Sequence, residues 1–193
     1  ERLIADLFAY TRSEYLDQTL QRQSLDLVEL LNKIVDGRRR EAERKRVELQ
    51  VDGLRHGCMV EGDPQLLERA VENLLDNALR YAPDGGAIGL RWRVNGSRTE
   101  FSVFDTGPGI AAHDLAHLFE PMYRADVSRS RETGGRGLGL AIARRILRAH
   151  GGDLVAANRE TGGAEFTGSL PLGPHVPGGP APVLSGSRDY PRT

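Results

Sequence analysis

The sequence contains one cysteine and no long apolar segment, and both shortages exclude classes of protein. Because Cys58 is the only cysteine, no disulfide can form within the chain, and its apolar neighbours predict a small buried side chain. No apolar run approaches the ~20 residues that a membrane-spanning helix needs, and no signal peptide is recognisable. A net charge of -1 gives no overall attraction to nucleic acid or to an anionic membrane surface.

Lysine is almost as scarce, since Lys33 and Lys45 are the only lysines among 26 basic residues. Both precede the glycine-rich segments, whereas a P-loop requires a lysine directly after its last glycine, in the pattern GKS or GKT. The strand lysine, HRD and DFG motifs of eukaryotic protein kinases are absent as well. A nucleotide site in this sequence must therefore be of another kind.

The length and remaining composition fit one ordinary globular domain with attachments, or two small domains. The chain has 193 residues and opens at Glu1 within an apparent helix, so we expect a fragment of a longer protein. Residues 1–22 include an amphipathic helix whose apolar side has no obvious partner nearby in sequence. Residues 173–193 are rich in Gly, Pro and Ser and predict a disordered tail. The domain between them covers residues 23–172.

Apolar periodicities within this domain predict a two-layer α/β sandwich. Asp26 and the pair Asp63-Pro64 are start signals for two helices, and a third helix is predicted to open at Leu138. Strands are predicted at residues 47–53, 58–62, 87–94, 99–105, 153–160 and 164–172. This alternation of helices and strands predicts helices on one face of a mixed β-sheet.

Three polar side chains share one side of the helix that begins at Pro64. On a helical projection Asn73, Asn77 and Arg80 fall within a sector about 60° wide, next to the apolar stripe. One asparagine there would be an ordinary solvent-facing residue, but three such residues together indicate the edge of a pocket. An amide oxygen is a neutral ligand that suits Mg²⁺, and the arginine could contact phosphate oxygens that share the metal.

A second motif, Asp105-Thr-Gly-Pro-Gly109, follows the strand predicted at 99–105. A plain turn is one interpretation, because Gly and Pro are common turn residues. However, Asp105 continues the alternation of the apolar strand residues, so its carboxylate should point inward, where it needs hydrogen-bond donors. The exocyclic amine of adenine would be such a donor, whereas guanine presents a carbonyl there. Gly107 and Gly109 would let the backbone approach a flat ring closely.

The third motif is Gly134-Gly-Arg-Gly-Leu-Gly139, which opens the last predicted helix. Exposed amides and the positive end of a helix dipole form an anion site, although a glycine-rich turn alone is weak support. It does not fit a dinucleotide-binding fingerprint, because a polar loop precedes it rather than a strand.

In this order the motifs resemble the ATP-binding domain of bacterial sensor histidine kinases, a fold shared with gyrase, Hsp90 and MutL. The resemblance covers residues 24–172, and residues 1–20 further resemble the second helix of the dimerisation domain in such kinases. The matching segments are the asparagine box at Asn73–Tyr81, the glycine boxes at Asp105–Gly109 and Gly135–Gly139, the phenylalanine box at 118–124 and the final glycine motif at 161–166.

The resemblance implies ATP and Mg²⁺ as the ligands of this domain. Asn77 would bind Mg²⁺ with Asn73 in support, Tyr81 would line the adenine pocket, and Asp105 would accept the adenine amine. Arg80 stands where the family often has lysine, which keeps the charge and changes the geometry. The complete implied ATP-binding set is Asn73, Asn77, Arg80, Tyr81, Asp105, Gly107, Gly109, Arg124, Arg129, Gly135, Arg136, Gly137, Leu138 and Gly139.

By the same resemblance, residues 111–136 would form a mobile lid over the phosphates. Arg124 and Arg129 are the first candidates for neutralising the γ-phosphate, and Arg131 and Arg136 are close enough to compete with them. Each of these arginines could equally be an ordinary solvent-exposed side chain.

None of the five histidines fits the family's phosphoacceptor motif, His-Glu-Leu-Arg-x-Pro. His113 comes nearest, but it lacks the following basic residue and proline. We therefore expect the acceptor upstream of Glu1, and we expect this chain alone not to label itself with phosphate. No catalytic base is evident in the sequence.

The implied function is the catalytic module of a sensor histidine kinase, which transfers the γ-phosphoryl of Mg-ATP to a histidine of the dimerisation domain for relay to a response regulator aspartate. Its partners would be its own dimerisation domain, a second subunit and the regulator, without nucleic acid or direct membrane contact. The fragment would be the cytoplasmic part of a membrane-anchored protein. A serine protein kinase of the anti-sigma type and a non-catalytic nucleotide-binding scaffold remain as alternatives.

Overall fold

A computed structural model describes residues 20–53, 57–124 and 137–173 of the chain. Most of the predicted first helix and the predicted tail after residue 173 therefore lie outside the described residues. The elements are β1 (Gln23–Asp26), α1 (Leu27–Arg44), β2 (Glu48–Gly53), β3 (Met59–Gly62), α2 (Pro64–Tyr81), β4 (Ala87–Asn95), β5 (Arg98–Asp105), α3 (Ala112–Leu115), α4 (Gly139–Ala149), β6 (Asp153–Asn158) and β7 (Ala164–Pro171).

Five strands form one mixed sheet in the order β2-β4-β5-β7-β6, in which only β2 and β4 run parallel. Strand β5 lies at its centre and sends Phe101, Val103 and Asp105 toward the buried side, where helices α2 and α4 pack. The opposite face is mostly polar and carries ion pairs such as Arg93–Glu100. The predicted two-layer α/β sandwich with a mixed sheet is confirmed.

Strand β1 was not predicted, because the four residues QSLD show no alternation that would indicate a strand. Its residues pair antiparallel with β3, from Gln23 opposite Gly62 to Asp26 opposite Met59. Asp26 ends this strand and caps α1, since its Oδ1 accepts a hydrogen bond from the Val28 N–H at 2.9 Å. The helix start predicted at this aspartate is thus confirmed, and the strand before it is a tertiary pairing.

Helix α2 begins as its sequence predicts. Oδ1 of Asp63 accepts hydrogen bonds from the backbone N–H groups of Gln65 and Leu66, and Pro64 occupies the first turn. Its buried stripe comprises Leu67, Ala70, Val71, Leu74, Leu75, Ala78 and Leu79. Fully burying one leucine stabilises the fold by about 1.5–3 kcal/mol, so this stripe fixes the rotation of α2 about its axis. The polar side of the helix is oriented as a consequence.

A buried histidine joins the first turn of α2 to the end of α4. The Asp63 N–H donates to His150 Nε2 at 2.9 Å, and His150 Nδ1 lies 2.7 Å from the Ile146 carbonyl oxygen. A carbonyl only accepts and a backbone N–H only donates, so the ring must be neutral with its proton on Nδ1. Burial lowers the pKa of His150, and the nearby Arg22 lowers it further.

We expect the His150 link to make folding stability depend on pH. The unfolded histidine takes up a proton below about 6.5, whereas the folded ring resists it, so stability is greatest above that pH and falls below it. His150→Gln should lower the free energy of unfolding at pH 7.5 by about 1–3 kcal/mol and flatten its decline between pH 7.5 and 5.5. Urea unfolding followed by circular dichroism measures both quantities.

His113→Gln is the matched control, because the side chain of His113 is 80% exposed. This control should keep the pH slope of the unmodified chain. Equal slopes for the unmodified chain and His150→Gln would contradict the assignment.

Candidate functional site

The first glycine box and Gly139, the last residue of the second, both lie against α2 at different places along its length. A methyl group added to Gly107 would lie 2.5 Å from the Tyr81 carbonyl oxygen, and one added to Gly139 would lie 3.4 Å from Asn73 Oδ1. Eight residues of helix separate these two contacts, a distance of about 12 Å. The structure therefore brings the three sequence motifs together along one helix.

At the middle of α2, the Asn73 side chain packs against the start of α4. Its Nδ2 atom is buried and has no hydrogen-bond partner within the described residues. Leaving such a donor unpaired costs about 1–3 kcal/mol, which is unusual in a folded core. The amide therefore marks a place where an acceptor from outside the described residues would be stabilising.

One turn farther along α2 lie Asn77 and then Arg80, both partly exposed. Within the part of the chain that the structure describes, no hydrogen bond or ion pair occupies either side chain. On the side of α2 that faces α1, Glu72 and Asp76 both form ion pairs with Arg38. The side of α2 toward α4 carries Asn73, Asn77 and Arg80, which take no part in these ion pairs.

The start of α4 presents backbone N–H donors beside Asn73 that no side chain caps within the described part of the chain. This helix has 11 residues and is preceded by Leu138, which makes no side-chain cap hydrogen bond. The first N–H groups of an uncapped helix have no intrahelical acceptors and carry the positive end of the helix dipole. Leu138 is itself 2% exposed, so its side chain belongs to the core and only its backbone can contribute to a site.

At the end of β5, Asp105 is 2% exposed, which confirms that its carboxylate points inward. Its Oδ1 accepts hydrogen bonds from the N–H groups of Gly107 at 2.8 Å and Ala164 at 3.4 Å. Burial raises the pKa of this carboxyl, and the two backbone donors and the positive charge of Arg159 oppose that rise. The group is thus an acceptor held in a poorly hydrated place.

The glycines of the first box are required by neighbouring protein atoms. A methyl group on Gly107 would clash with Tyr81, and one on Gly109, which has a φ of 76°, would lie 2.8 Å from Asn158 Oδ1. From the sequence, these glycines are expected to allow the backbone to approach a flat ring closely. The packing gives them a second reason that holds without any ligand. Tyr81, whose carbonyl oxygen faces Gly107, remains 49% exposed.

The segment between the two glycine boxes is described only as far as residue 124. It contains the short helix α3, and the Tyr123 hydroxyl donates to the buried Asp114 at 2.6 Å. The Met122 N–H donates to the Gly137 carbonyl at 2.9 Å, so the two ends of the undescribed stretch 125–136 lie side by side. Gly137 has a φ of 72°, and a methyl group there would lie 2.5 Å from the Tyr123 carbonyl oxygen.

Several predicted site residues fall in that stretch. Arg129, Gly135 and Arg136 of the predicted ATP-binding set lie outside the described residues. Arg124, the last described residue before the gap, is exposed, and within the described chain it makes no ion pair. Its assignment to the γ-phosphate stays a prediction.

Two residues of the β6–β7 hairpin contact the first glycine box and were not predicted as site residues. Asn158 forms a pair of hydrogen bonds with the backbone of Ile110, and Arg159 donates to the Asp105 carbonyl oxygen. The TGG turn of this hairpin was recognised as a motif, but the asparagine and arginine that precede it carry no local signal of these contacts.

Comparison with known proteins gives a consistent result. The sequence matches the family described as "Histidine kinase-, DNA gyrase B-, and HSP90-like ATPase" over residues 62–174. It is 38% identical over 173 residues to the sensor protein CutS of Streptomyces coelicolor, covering 89% of this chain and 41% of that protein. It is 39% identical over 183 residues to the sensor protein SphS of Synechococcus elongatus, covering 91% of this chain and 44% of that protein. The chain thus spans less than half the length of these relatives.

Solved structures show the same likeness. A mycobacterial sensor histidine kinase, MprB, superposes with a TM-score of 0.66 at 30% identity, covering 79% of this chain and 99% of that one. Full-length ShkA in complex with AMPPNP superposes with a TM-score of 0.74 at 27% identity, covering 89% of this chain and 35% of that one. Within the described residues, no helix is long and apolar enough to cross a membrane.

We expect that the negative charge of Asp105 does not stabilise the fold. Asp105→Asn keeps an oxygen that can accept from Gly107 and Ala164 and removes a buried charge, so the free energy of unfolding should stay within about 1 kcal/mol or rise. Asp105→Ala leaves both N–H groups without that acceptor and should lower it by about 1–3 kcal/mol. Urea unfolding without nucleotide at pH 7 compares the two variants. An equal loss in both would show that the negative charge itself is stabilising.

Proposed function

Because this chain belongs to the family of histidine kinase-, DNA gyrase B- and HSP90-like ATPases, we propose that it binds Mg-ATP and acts as the catalytic domain of a sensor histidine kinase. The names of its relatives support this choice within the family, since they are sensor proteins and sensor histidine kinases. The observation that carries the proposal is the Asn73 amide of α2, whose buried Nδ2 has no hydrogen-bond partner within the described residues, on the same helix whose end contacts the box of the buried Asp105.

Adenine would lie at the end of the groove formed by Asp105 and Tyr81. The exocyclic amine of adenine donates hydrogen bonds, and Asp105 is a buried acceptor at the end of strand β5. The exposed ring of Tyr81 offers an apolar surface for the flat base. A guanine base would place a carbonyl oxygen against the carboxylate, which would disfavour it.

The triphosphate would extend along α2 toward the start of α4. There the unpaired Asn73 amide and the uncapped N–H groups of α4 are donors, and Arg80 supplies positive charge without a competing partner in the described chain. These groups bind and orient the phosphates, which is the principal task of a protein in phosphoryl transfer. Arg124 and the arginines between residues 125 and 136 would add charge at the γ-phosphate.

The donor set fits a magnesium ion that arrives with the nucleotide. Within the described residues, no cluster of three His, Cys, Asp or Glu side chains could hold a metal alone. Mg²⁺ prefers oxygen ligands and retains several waters, so amide oxygens of Asn77 and Asn73 are suitable when phosphate oxygens supply the negative charge. The ion would neutralise charge on the phosphates during transfer.

The γ-phosphoryl group would pass to a histidine of a dimerisation domain and then to an aspartate of a response regulator. None of the five histidines in this sequence stands in the acceptor motif of such kinases. A dimerisation domain would therefore contribute the acceptor histidine and the contacts with a second subunit. By its resemblance to such kinases, the parent protein would be membrane-anchored, with the ATP-binding domain in the cytoplasm.

We expect Asp105→Asn to lower the affinity for Mg-ATP at least about tenfold, because with its oxygen held by the N–H groups of Gly107 and Ala164 the side chain presents an NH2 donor, not an acceptor, to the amine of the base. Isothermal titration calorimetry on the whole chain measures this. Asp36→Asn is the control, since Asp36 is an exposed carboxylate of α1, and it should bind like the unmodified chain. If the unmodified chain did not bind Mg-ATP, or if Asp105→Asn bound it equally well, the adenine assignment would fail.

A second variant tests the metal. Asn77→Ala should remove most of the gain in ATP affinity that Mg²⁺ produces, while affinity in EDTA changes less than about twofold. The comparison needs ATP titrations with and without Mg²⁺ for this variant and for Asn32→Ala, an exposed asparagine of α1. A magnesium effect that is the same in Asn77→Ala and in the control would exclude Asn77 as a ligand.

A further inference from the structure

The β6–β7 hairpin holds the first glycine box from the side opposite α2. Asn158 accepts a hydrogen bond from the Ile110 N–H and donates one to the Ile110 carbonyl, both at 2.7 Å. A side-chain amide that satisfies both backbone groups of one residue fixes that residue much as a neighbouring strand would. The loop from Asp105 to Ile110 is therefore anchored at its far end by Asn158.

Arg159 anchors the near end of the same loop. Its Nη1 donates to the Asp105 carbonyl oxygen at 3.2 Å, and its backbone N–H donates to the Gly163 carbonyl at 3.0 Å. Gly163 lies directly on Asp105, because a methyl group there would be 1.9 Å from the Asp105 carbonyl oxygen. The turn between β6 and β7 thus covers the backbone of the carboxylate residue.

The guanidinium of Arg159 is itself fixed by an aromatic ring. Its Cζ lies 4.3 Å from the centroid of Phe104, and the Cζ of Arg91 lies 4.7 Å from the same centroid. Phe104 is 7% exposed, and its ring packs so closely on Gly89 that a methyl group there would lie 2.1 Å from a ring atom. The Arg159 guanidinium, which donates to the Asp105 carbonyl oxygen, is therefore stacked on Phe104, the residue that precedes Asp105.

These contacts have a common result, which is that the end of β5 is held on both faces of the sheet. On the helix side Asp105 is fixed by its own carboxylate, and on the open side it is fixed through Arg159 and Phe104. Holding a recognition group to within a fraction of an ångström is what separates a selective site from a permissive one.

We propose that Asn158 and Arg159 are positioning residues that set the base specificity of the nucleotide site, by holding the Asp105 carboxylate where it meets an exocyclic amine. This inference rests on the proposed binding of ATP through Asp105. Neither residue touches the base, and both act through the backbone of the loop. Loosening this support lowers the affinity for a base with an amine at that position more than for a base with a carbonyl there.

The test compares ATP with inosine triphosphate, which carries a carbonyl oxygen in place of the exocyclic amine. Binding of both, with Mg²⁺, is measured by calorimetry for the unmodified chain and for Asn158→Ala, Arg159→Met and Asp105→Asn. We expect Asn158→Ala and Arg159→Met to bind ATP about tenfold more weakly and inosine triphosphate less than about twofold more weakly. Asp105→Asn should abolish the preference altogether.

Glu160→Ala is the matched control, because Glu160 is exposed in the same turn and makes no hydrogen bond within the described chain. It should keep the ATP preference of the unmodified chain. Arg159→Lys retains the charge without the planar group that stacks on Phe104, and it should restore only part of the preference. Urea unfolding of each variant identifies any general loss of structure, which would weaken both nucleotides equally.

The outcomes separate the two proposals. If the unmodified chain does not prefer ATP, the proposed adenine site fails and this inference fails with it. If the unmodified chain prefers ATP and Asp105→Asn does not, but Asn158→Ala and Arg159→Met keep the full preference, only the positioning role is overturned. An equal loss of affinity for both nucleotides in these two variants also overturns it.

Discussion

The site depends on one carboxylate that is buried against its own solvation preference. Removing an ionised carboxylate from water is costly unless donors surround it, and the structure gives Asp105 two backbone donors on one oxygen and a nearby guanidinium. Those donors come from the loop that follows β5 and from β7. The buried position of the Asp105 carboxylate therefore depends on the relative positions of the first glycine box, the β6–β7 hairpin and strand β5.

Helix α2 packs against the sheet with one side and carries polar side chains on the other. Its leucines fix its rotation against the sheet, while Arg38 of α1 takes Glu72 and Asp76 on one flank. Only the remaining flank is available for a ligand, and that flank carries Asn73 and Asn77. An amide left unpaired in a packed interior is tolerated where a bound group completes it. Core packing and the proposed ligand contacts thus lie on separate sides of the same helix.

Local patterns in the sequence were sufficient for the elements other than β1 and α3 and for the inward-facing residues. Alternation along β5 placed Asp105 on the buried side, and the Asp63-Pro64 pair placed the start of α2. The patterns failed where a role depends on a distant partner. His150 looked like a residue before a helix stop, yet it accepts from Asp63, 87 positions away. Asn158 contacts Ile110 across 48 positions, and β1 exists only because β3 lies beside it. No periodicity encodes such contacts.

The buried histidine also constrains the relative movement of helices α2 and α4. It joins the first turn of α2 to the end of α4, while the opposite end of α4 lies beside Asn73. Because the two helices are joined at this contact, relative movement at the Asn73 end is expected to be a rotation about it. Helix α4 has 11 residues and is about 16 Å long, so a tilt of a few degrees would displace its first turn by about 1 Å.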